Sequence, residues 1–417
     1  MEVDVAIVGG GMVGASLALA LRGLHLDVAL IEALAPDSAA QTSFDERTTA
    51  LGNGTRRVFE ALKVWDSMRG DAAAIRTIHV SERGGFGFAR LVAAEQGIEA
   101  FGYVVPNRVI GRVLWEALRR PAHGPGRLEL CMPASVRDAV IGAERVELRV
   151  EGAEFGSRRI AARLAVAADG ANSVLRERAG IGAAVEDYAQ TAVIASVRAE
   201  RAHDGTAYER FTTDGPLAFL PRHDGSYTVI WTLAPERAAE VLCLDDAVFL
   251  QALQQAFGWR VGRLEQVGRR ASYPLALTRA EATVAARTVL IGNASQSLHP
   301  VAGQGFNLGL RDAATLAELI GELRGGAPES AAAGADVGAA PFLASFAARR
   351  VADRGGVTRF TDGLIRLFGD DRPGVGFARN LGLLLFDLAP PAKRALSRLS
   401  LGFAGRTPRL ARGLPLR

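Results

Sequence analysis

The 417-residue sequence predicts an α/β fold, α+β over the whole chain, on three observations. Between Val3 and Glu32 a short apolar strand, three consecutive glycines, an apolar helix and a second strand follow in order. From Val289 to Leu323 a second strand–turn–helix carries its own cluster of glycines. Between them, residues 191–277 change to short strands separated by turn residues, the pattern of a mostly antiparallel sheet inserted into the first fold.

The first unit is a Rossmann-like nucleotide-binding βαβ. Gly9, Gly11 and Gly14 stand at the fingerprint positions, where a turn, a close approach to pyrophosphate and tight helix–strand packing each require glycine. Glu32 follows Gly14 by 18 residues at the end of the second strand. Its carboxylate suits a ribose diol and repels a 2′-phosphate, so FAD or NAD is expected rather than NADP. The run Val5–Leu21 is uncharged but broken by the glycines, so it reads as strand, turn and helix and not as a membrane span.

A helical stretch is expected from Gly54 to Met68. Just before it, Arg47 follows Asp45 and Glu46; it is either a surface ion pair or a partner for pyrophosphate or the flavin edge. Gly84-Gly85-Phe86-Gly87-Phe88 reads as a hairpin turn. Arg108 stands at the start of a helix with Val109, Val113, Leu114 and Leu118 on its apolar face, either near a phosphate or facing solvent. Strands over 146–150 and 160–168 lead to Asp169-Gly170, turn chemistry in its own right, with Ser173 as the N-cap of a short helix. In the insertion, strands are expected at 192–197, 216–221, 226–233 and 272–277, with a helix over 246–257.

The third segment runs from Val289-Leu290-Ile291 through Gly292-Asn293 and His299-Pro300 to Gly303-Gln304-Gly305-Phe306-Asn307. Ala313, Leu316, Ala317, Ile320 and Leu323 give the following helix its apolar stripe. Glycines at a helix mouth let free N–H groups approach an anion, worth roughly 0.3–1 kcal/mol when exposed. Beyond it, residues 324–341 are a low-complexity loop, 342–368 return to helical periodicity, and the final helices contain Leu381–Phe386 before Pro390-Pro391.

The net charge of +4 is unevenly placed. Residues 388–417 hold seven basic side chains and no acidic one, leaving 42 basic against 45 acidic elsewhere. No aromatic-interleaved basic groove accompanies the tail, so nucleic acid is not an expected partner; peripheral contact with an anionic membrane is. Cys131 and Cys243 have no metal or redox spacing and read as reduced, buried thiols of a cytoplasmic protein. No metal site is expected.

Taken together, Gly9–Gly14 with Glu32, Asp169-Gly170 and the Gly292–Asp312 stretch resemble the class A flavoprotein aromatic hydroxylases, the para-hydroxybenzoate hydroxylase-like group. Gly292-Asn293 stands where the wider group has Gly-Asp. With Gln296, Leu298-His299-Pro300 and Ala302–Gly309 it is similar to the ubiquinone-biosynthesis hydroxylase branch, and within it to the octaprenyl-methoxyphenol hydroxylases. Residues 215–221, Thr361-Asp362, Leu367-Phe368 and Arg379–Gly382 extend the likeness over nearly the whole chain.

The resemblance implies a glutathione reductase-type FAD-binding fold, with 1–180 and 281–330 as its discontinuous parts. Residues 181–280 would be the inserted substrate domain, and 331–417 the C-terminal helices and basic tail. It implies FAD, with NAD(P)H as electron donor and O₂ and a polyprenylated phenol as substrates. The expected FAD contacts are Gly9, Gly11, Gly14, Glu32, Arg47, Arg108, Val136, Asp169, Gly170, Asn293, Pro300, Gly303, Gln304, Gly305, Phe306 and Asn307. Asn293 keeps a hydrogen-bonding amide for a ribityl hydroxyl without the charge of an Asp. His299 and Pro300 are the candidate catalytic residues: Pro300 would act by shape, and His299 is catalytic only as the second reading, after that of a hydrogen-bonded structural turn residue. Association with other ubiquinone-biosynthesis proteins or with a second copy is compatible with the sequence. Rival readings are a hydroxylase of small soluble aromatics, a flavin reductase without oxygen insertion, and a flavin-binding subunit with no turnover.

Overall fold

Three sheets organise the chain in a computed structural model. It describes residues 1–36, 38, 41, 45, 47–121, 126–153, 156–297, 304–325, 335–351, 375–389, 391, 393 and 406–416. The first sheet has a parallel centre in the order Thr288–Leu290, Gly156–Ala167, Glu2–Val8, Val28–Ile31, Leu128–Cys131. Val5, Ala6, Ile7, Ala165, Val166 and Leu290 are fully buried, as continuous apolar strands covered on both faces must be. Val8 pairs with Ala167, and Ala167 with Leu290, so three strands far apart in sequence end side by side. The three motifs begin just past those ends, and a parallel sheet binds ligands there. The α/β class, α+β overall, is the observed one.

The second sheet has nine strands. Ala183–Ala199, Gly215–Pro221, Tyr227–Leu233 and Ala271–Ala280 pair antiparallel. Alternation along Tyr227–Leu233 sorts its faces. Val229, Trp231 and Leu233 pack with helices Pro235–Cys243 and Asp246–Phe257, while Thr228 and Ile230 face a cavity. The hairpin Thr77–Glu82 and Phe88–Val92 turns through the expected glycines, with Gly84 at φ +76°. It joins this sheet because Thr206–Thr212 runs parallel to Thr77–Glu82, a pairing no local pattern announces. A small third sheet holds Thr48–Gly52, Gly102–Pro106 and Ala73–Ile75.

Some expectations are corrected. The helix over 54–68 is two, Asn53–Ala61 and Asp66–Arg69, because Lys63 takes a left-handed φ of +58° between them. Cys243 is exposed, not buried: at the end of its helix, Ala238 and Val241 take the core face instead. Nor is the basic tail free as a whole. Leu410 and Ala411 are buried, Arg409 N–H donates to Glu318 (2.5 Å), and Arg406 lies 3.6 Å from Glu322, both acids on the helix Gln304–Gly325.

Candidate active site

The glycine turn shows why each residue is needed. Gly9 sits at φ +102°, and a Cβ there would lie 2.4 Å from the Ala168 carbonyl oxygen. At Gly14 a Cβ would lie 1.9 Å from the Gly9 carbonyl oxygen, so the first helix, Met12–Leu21, can approach the first strand only without one. Gly11 precedes that helix in extended backbone and supplies no side-chain cap, leaving the first-turn N–H groups open toward the cavity. Glu32 is buried and accepts from Gly10 N–H (2.6 Å) and Leu34 N–H (2.9 Å). Trp115 Nε1 donates to the Gly10 carbonyl at 3.1 Å and locks the turn from below.

The second motif faces the same space. Asp169 Oδ2 accepts from Leu175 N–H at 3.4 Å, while its Oδ1 is buried without a partner among the described residues. Burial pushes the carboxyl above its ordinary range, against hydrogen bonds from Ser173 and the backbone. Ser173 caps the short helix Val174–Arg178 by accepting from Arg176 N–H (3.0 Å), as its sequence position predicted.

In the third motif Gly292 (φ +58°) opens a tight turn, and its N–H donates to Asp312 (3.2 Å). Asp312 in turn pairs with Arg350 at 2.7 Å, both side chains at 1% exposure or less. Asn293 is exposed on the cavity. Asn307 is spent on the scaffold: its Oδ1 accepts from Gly52 N–H (2.8 Å) and Thr55 Oγ (2.7 Å), and its amide donates to Ala50 O (2.9 Å). Asn307→Ala therefore removes three hydrogen bonds, two of them fully buried. It is expected to cost about 2–4 kcal/mol in urea unfolding and to loosen residues 50–55.

These motifs line one cavity of about 1740 Å³. Gly9, Gly11, Glu32, Arg47, Val136, Asp169, Gly170, Asn293, Gly305, Phe306 and Asn307 all border it. Gly14 packs behind it, Gln304 opens the long helix, and Arg108 is exposed away from it. His299, Pro300 and Gly303 lie outside the described residues. Arg47 pairs with Asp45 (2.6 Å), the first of its two readings, and lies 4.4 Å over the Tyr273 ring on the cavity wall. Sequence reasoning passed over Asn107 and Tyr273, which also border the space. Asn107 accepts from Thr49 Oγ at 2.7 Å and Tyr273 donates to Asp45 at 3.1 Å, pairings between distant segments.

Residues 2–343 match the family model described as "FAD binding domain". The chain is 36% identical to ubiquinone hydroxylase UbiL of Rhodospirillum rubrum, across 99% of this chain and 93% of that protein. It is 32% identical to 3-demethoxyubiquinol 3-hydroxylase of Escherichia coli, across 96% and 98%. The chain belongs to the FAD-binding family, in its ubiquinone-biosynthesis hydroxylase branch. Among solved structures, p-nitrophenol 4-monooxygenase PnpA of Pseudomonas putida has the same fold, with a TM-score of 0.76 at 19% identity over 97% of this chain and 99% of that one. The protein is an FAD-dependent aromatic hydroxylase that takes electrons from NAD(P)H.

The residues fit the family's cofactor. The open N-terminus of the first helix offers N–H groups to a pyrophosphate. Glu32, beyond the second strand, suits an adenosine ribose, and the partnerless Asp169 oxygen needs a polar ligand in the cavity.

Proposed function

We propose that this enzyme hydroxylates the aromatic ring of a polyprenylated phenol on the route to ubiquinone, consuming NAD(P)H and O₂. One observation carries the reading: the cavity continues past the nucleotide-binding turns to an apolar wall on the second sheet, where Ile78, Val80, Leu91, Ala218, Leu220 and Ile230 converge. Its volume exceeds the roughly 300–1,000 Å³ usual for a single small ligand, which leaves room for an aromatic ring and part of an apolar tail beside the cofactor.

Bound FAD supplies the redox chemistry and oxygen activation. The chain supplies the rest. Gly9–Gly14 and Glu32 hold the nucleotide end, Asp169 and Asn293 offer polar groups midway, and the apolar wall excludes water from the reacting ring. The test is the purified holoenzyme with NADH or NADPH, supplied with tailed and tail-less phenols. Prenylated phenol should accelerate NAD(P)H oxidation and gain one oxygen atom. Turnover of tail-less phenols alone would replace this reading with a hydroxylase of small aromatics. No substrate-stimulated oxidation with any phenol would leave a flavin-binding subunit.

Access of so insoluble a substrate is part of the proposal. Helix Val375–Asp387 lines the cavity with Ala378, Gly382, Leu383 and Phe386. Its outer side shows Phe377 (65% exposed) and Leu385 (58%), with Leu388 (71%) just past its end and the Phe86 ring tilted against Phe377, centroids 5.8 Å apart. No helix among the described residues is long and apolar enough to cross a membrane. The exposed stripe instead would rest in the interface of an anionic bilayer, beside the cavity it closes. Replacing Phe377, Leu385 and Leu388 together by serine should abolish flotation with anionic liposomes while flavin content stays unchanged; equal flotation of both proteins would remove the stripe from the account.

A further inference from the structure

Strand Thr206–Thr212 puts one carboxyl group on an otherwise apolar surface. Glu209 borders the cavity, pairs across the sheet with Val80 on one side and Ala218 on the other, and has neither a hydrogen-bond nor an ion-pair partner among the described residues. No contact among the described residues uses it. Its neighbours on the same strand are accounted for: Tyr208 packs edge-on to Phe257 behind the sheet, and Arg210 reaches Ser81. A carboxyl group without a partner in an apolar wall is costly to keep, and a ligand with a hydroxyl donor would offset that cost.

We infer that Glu209 is the group that receives the substrate's phenol hydroxyl. The inference rests on the reaction proposed above and deepens it by naming the residue that recognises the ring. In the bound complex the phenol O–H donates to a Glu209 carboxylate oxygen. As the ring is activated the O–H bond breaks, the proton moves to that oxygen, and the electron pair stays on the phenol oxygen and delocalises into the ring. No further oxidant or reductant is needed for this step. The apolar wall does the orienting: Glu209 is the carboxylate that the second sheet brings to it among the described residues, and a ring hydroxyl donating to that group is held in one pose.

Burial alone pushes Glu209 up from 4.5 to about 7, the range in which a carboxyl can take up a proton at working pH. The charged or titratable groups elsewhere on the cavity wall are Glu32, Arg47, Arg137, Asp169, Tyr208, Tyr273 and Arg379. Arg47 is paired with Asp45, and Arg379 with Glu82. None of the seven contributes to the shift. Because the folded value is raised, the carboxyl favours folding most below about pH 4.5, and that contribution is lost as pH rises through about 7. Glu209→Gln should therefore gain thermal stability over the wild type as pH is taken from 5 to 8.

The deciding experiment compares wild-type, Glu209→Gln and Glu209→Asp holoenzymes, each checked for flavin content, in product formation against pH. The wild type should lose activity on the acid side with a midpoint near 7. The Gln enzyme should lose that limb and fall roughly 10²–10³-fold in kcat/KM. The Asp enzyme should keep the limb at a reduced rate. A Gln enzyme within threefold of wild type, with its pH limb intact, overturns the role of Glu209 while leaving the hydroxylase reading in place. A wild type that makes no product from any prenylated phenol removes both. Should the Gln chain fail to retain flavin, the Asp enzyme decides: an unchanged rate overturns the inference.

Discussion

Arg350→Met is expected to destabilise the protein by about 3–5 kcal/mol, because it strands a buried carboxylate. Asp312 has no exposure at all and Arg350 only 1%, and the pair is held at 2.7 Å. The guanidinium is joined to the long helix that carries the third motif, and Asp312 is bonded to Gly292 N–H at the turn beside Asn293. The loss should therefore appear twice: in urea unfolding of the flavin-free protein, and in a weaker grip on FAD. The pair is not in itself a source of stability, since replacing both partners by apolar residues is often neutral. The double variant Asp312→Leu/Arg350→Met should accordingly be less destabilised than either single one, a coupling that a double-mutant cycle measures directly. Singles that simply add would show that the two residues act independently.

What could be read beforehand, and what could not, follows from the range of the interactions. The glycine turn, Glu32 and the Ser173 cap are local patterns: each depends on a few neighbouring residues, and the fold places each where its pattern requires. The periodic stripe of the helix Gln304–Gly325 was equally legible, with Ala313, Leu316, Ala317 and Ile320 all buried. Legibility failed where partners are distant. Nothing near residue 350 indicates that its arginine is the counter-ion of residue 312. Nothing near Asn307 shows that its amide is committed to residues 50–55. Glu209 lies in a strand of ordinary alternation, and only the parallel pairing with Thr77–Glu82 brings it to the apolar stretch of the cavity wall. Cys243 was misjudged for a related reason: helix Pro235–Cys243 has too few residues for its periodicity to say which side meets the sheet.

Gly14→Val should give a folded protein that does not hold flavin. Even the first carbon of the new side chain would lie 1.9 Å from the Gly9 carbonyl oxygen and 3.2 Å from the Ala168 Cβ, contacts with backbone and a packed strand end that cannot swing aside. The first helix must back away from the sheet, taking with it the first-turn N–H groups that face the cavity. Charge-assisted hydrogen bonds at a helix mouth depend on distances near 2.7–2.9 Å, so a shift of about 1 Å loses most of them. We expect an FAD dissociation constant raised at least about 100-fold, equivalent to roughly 2.7 kcal/mol, and a colourless protein on purification. The second sheet, with its own core around Phe219, Phe249 and Phe257, should keep its structure, visible as a retained far-ultraviolet signal and protected amides over residues 183–280. Gly9→Ala should fail in the same way for a different reason, since φ +102° is open to glycine and strained for any other residue. If either variant retained stoichiometric FAD, the pyrophosphate would have to rest somewhere other than this turn, and the assignment of the nucleotide end to Gly9–Glu32 would be wrong.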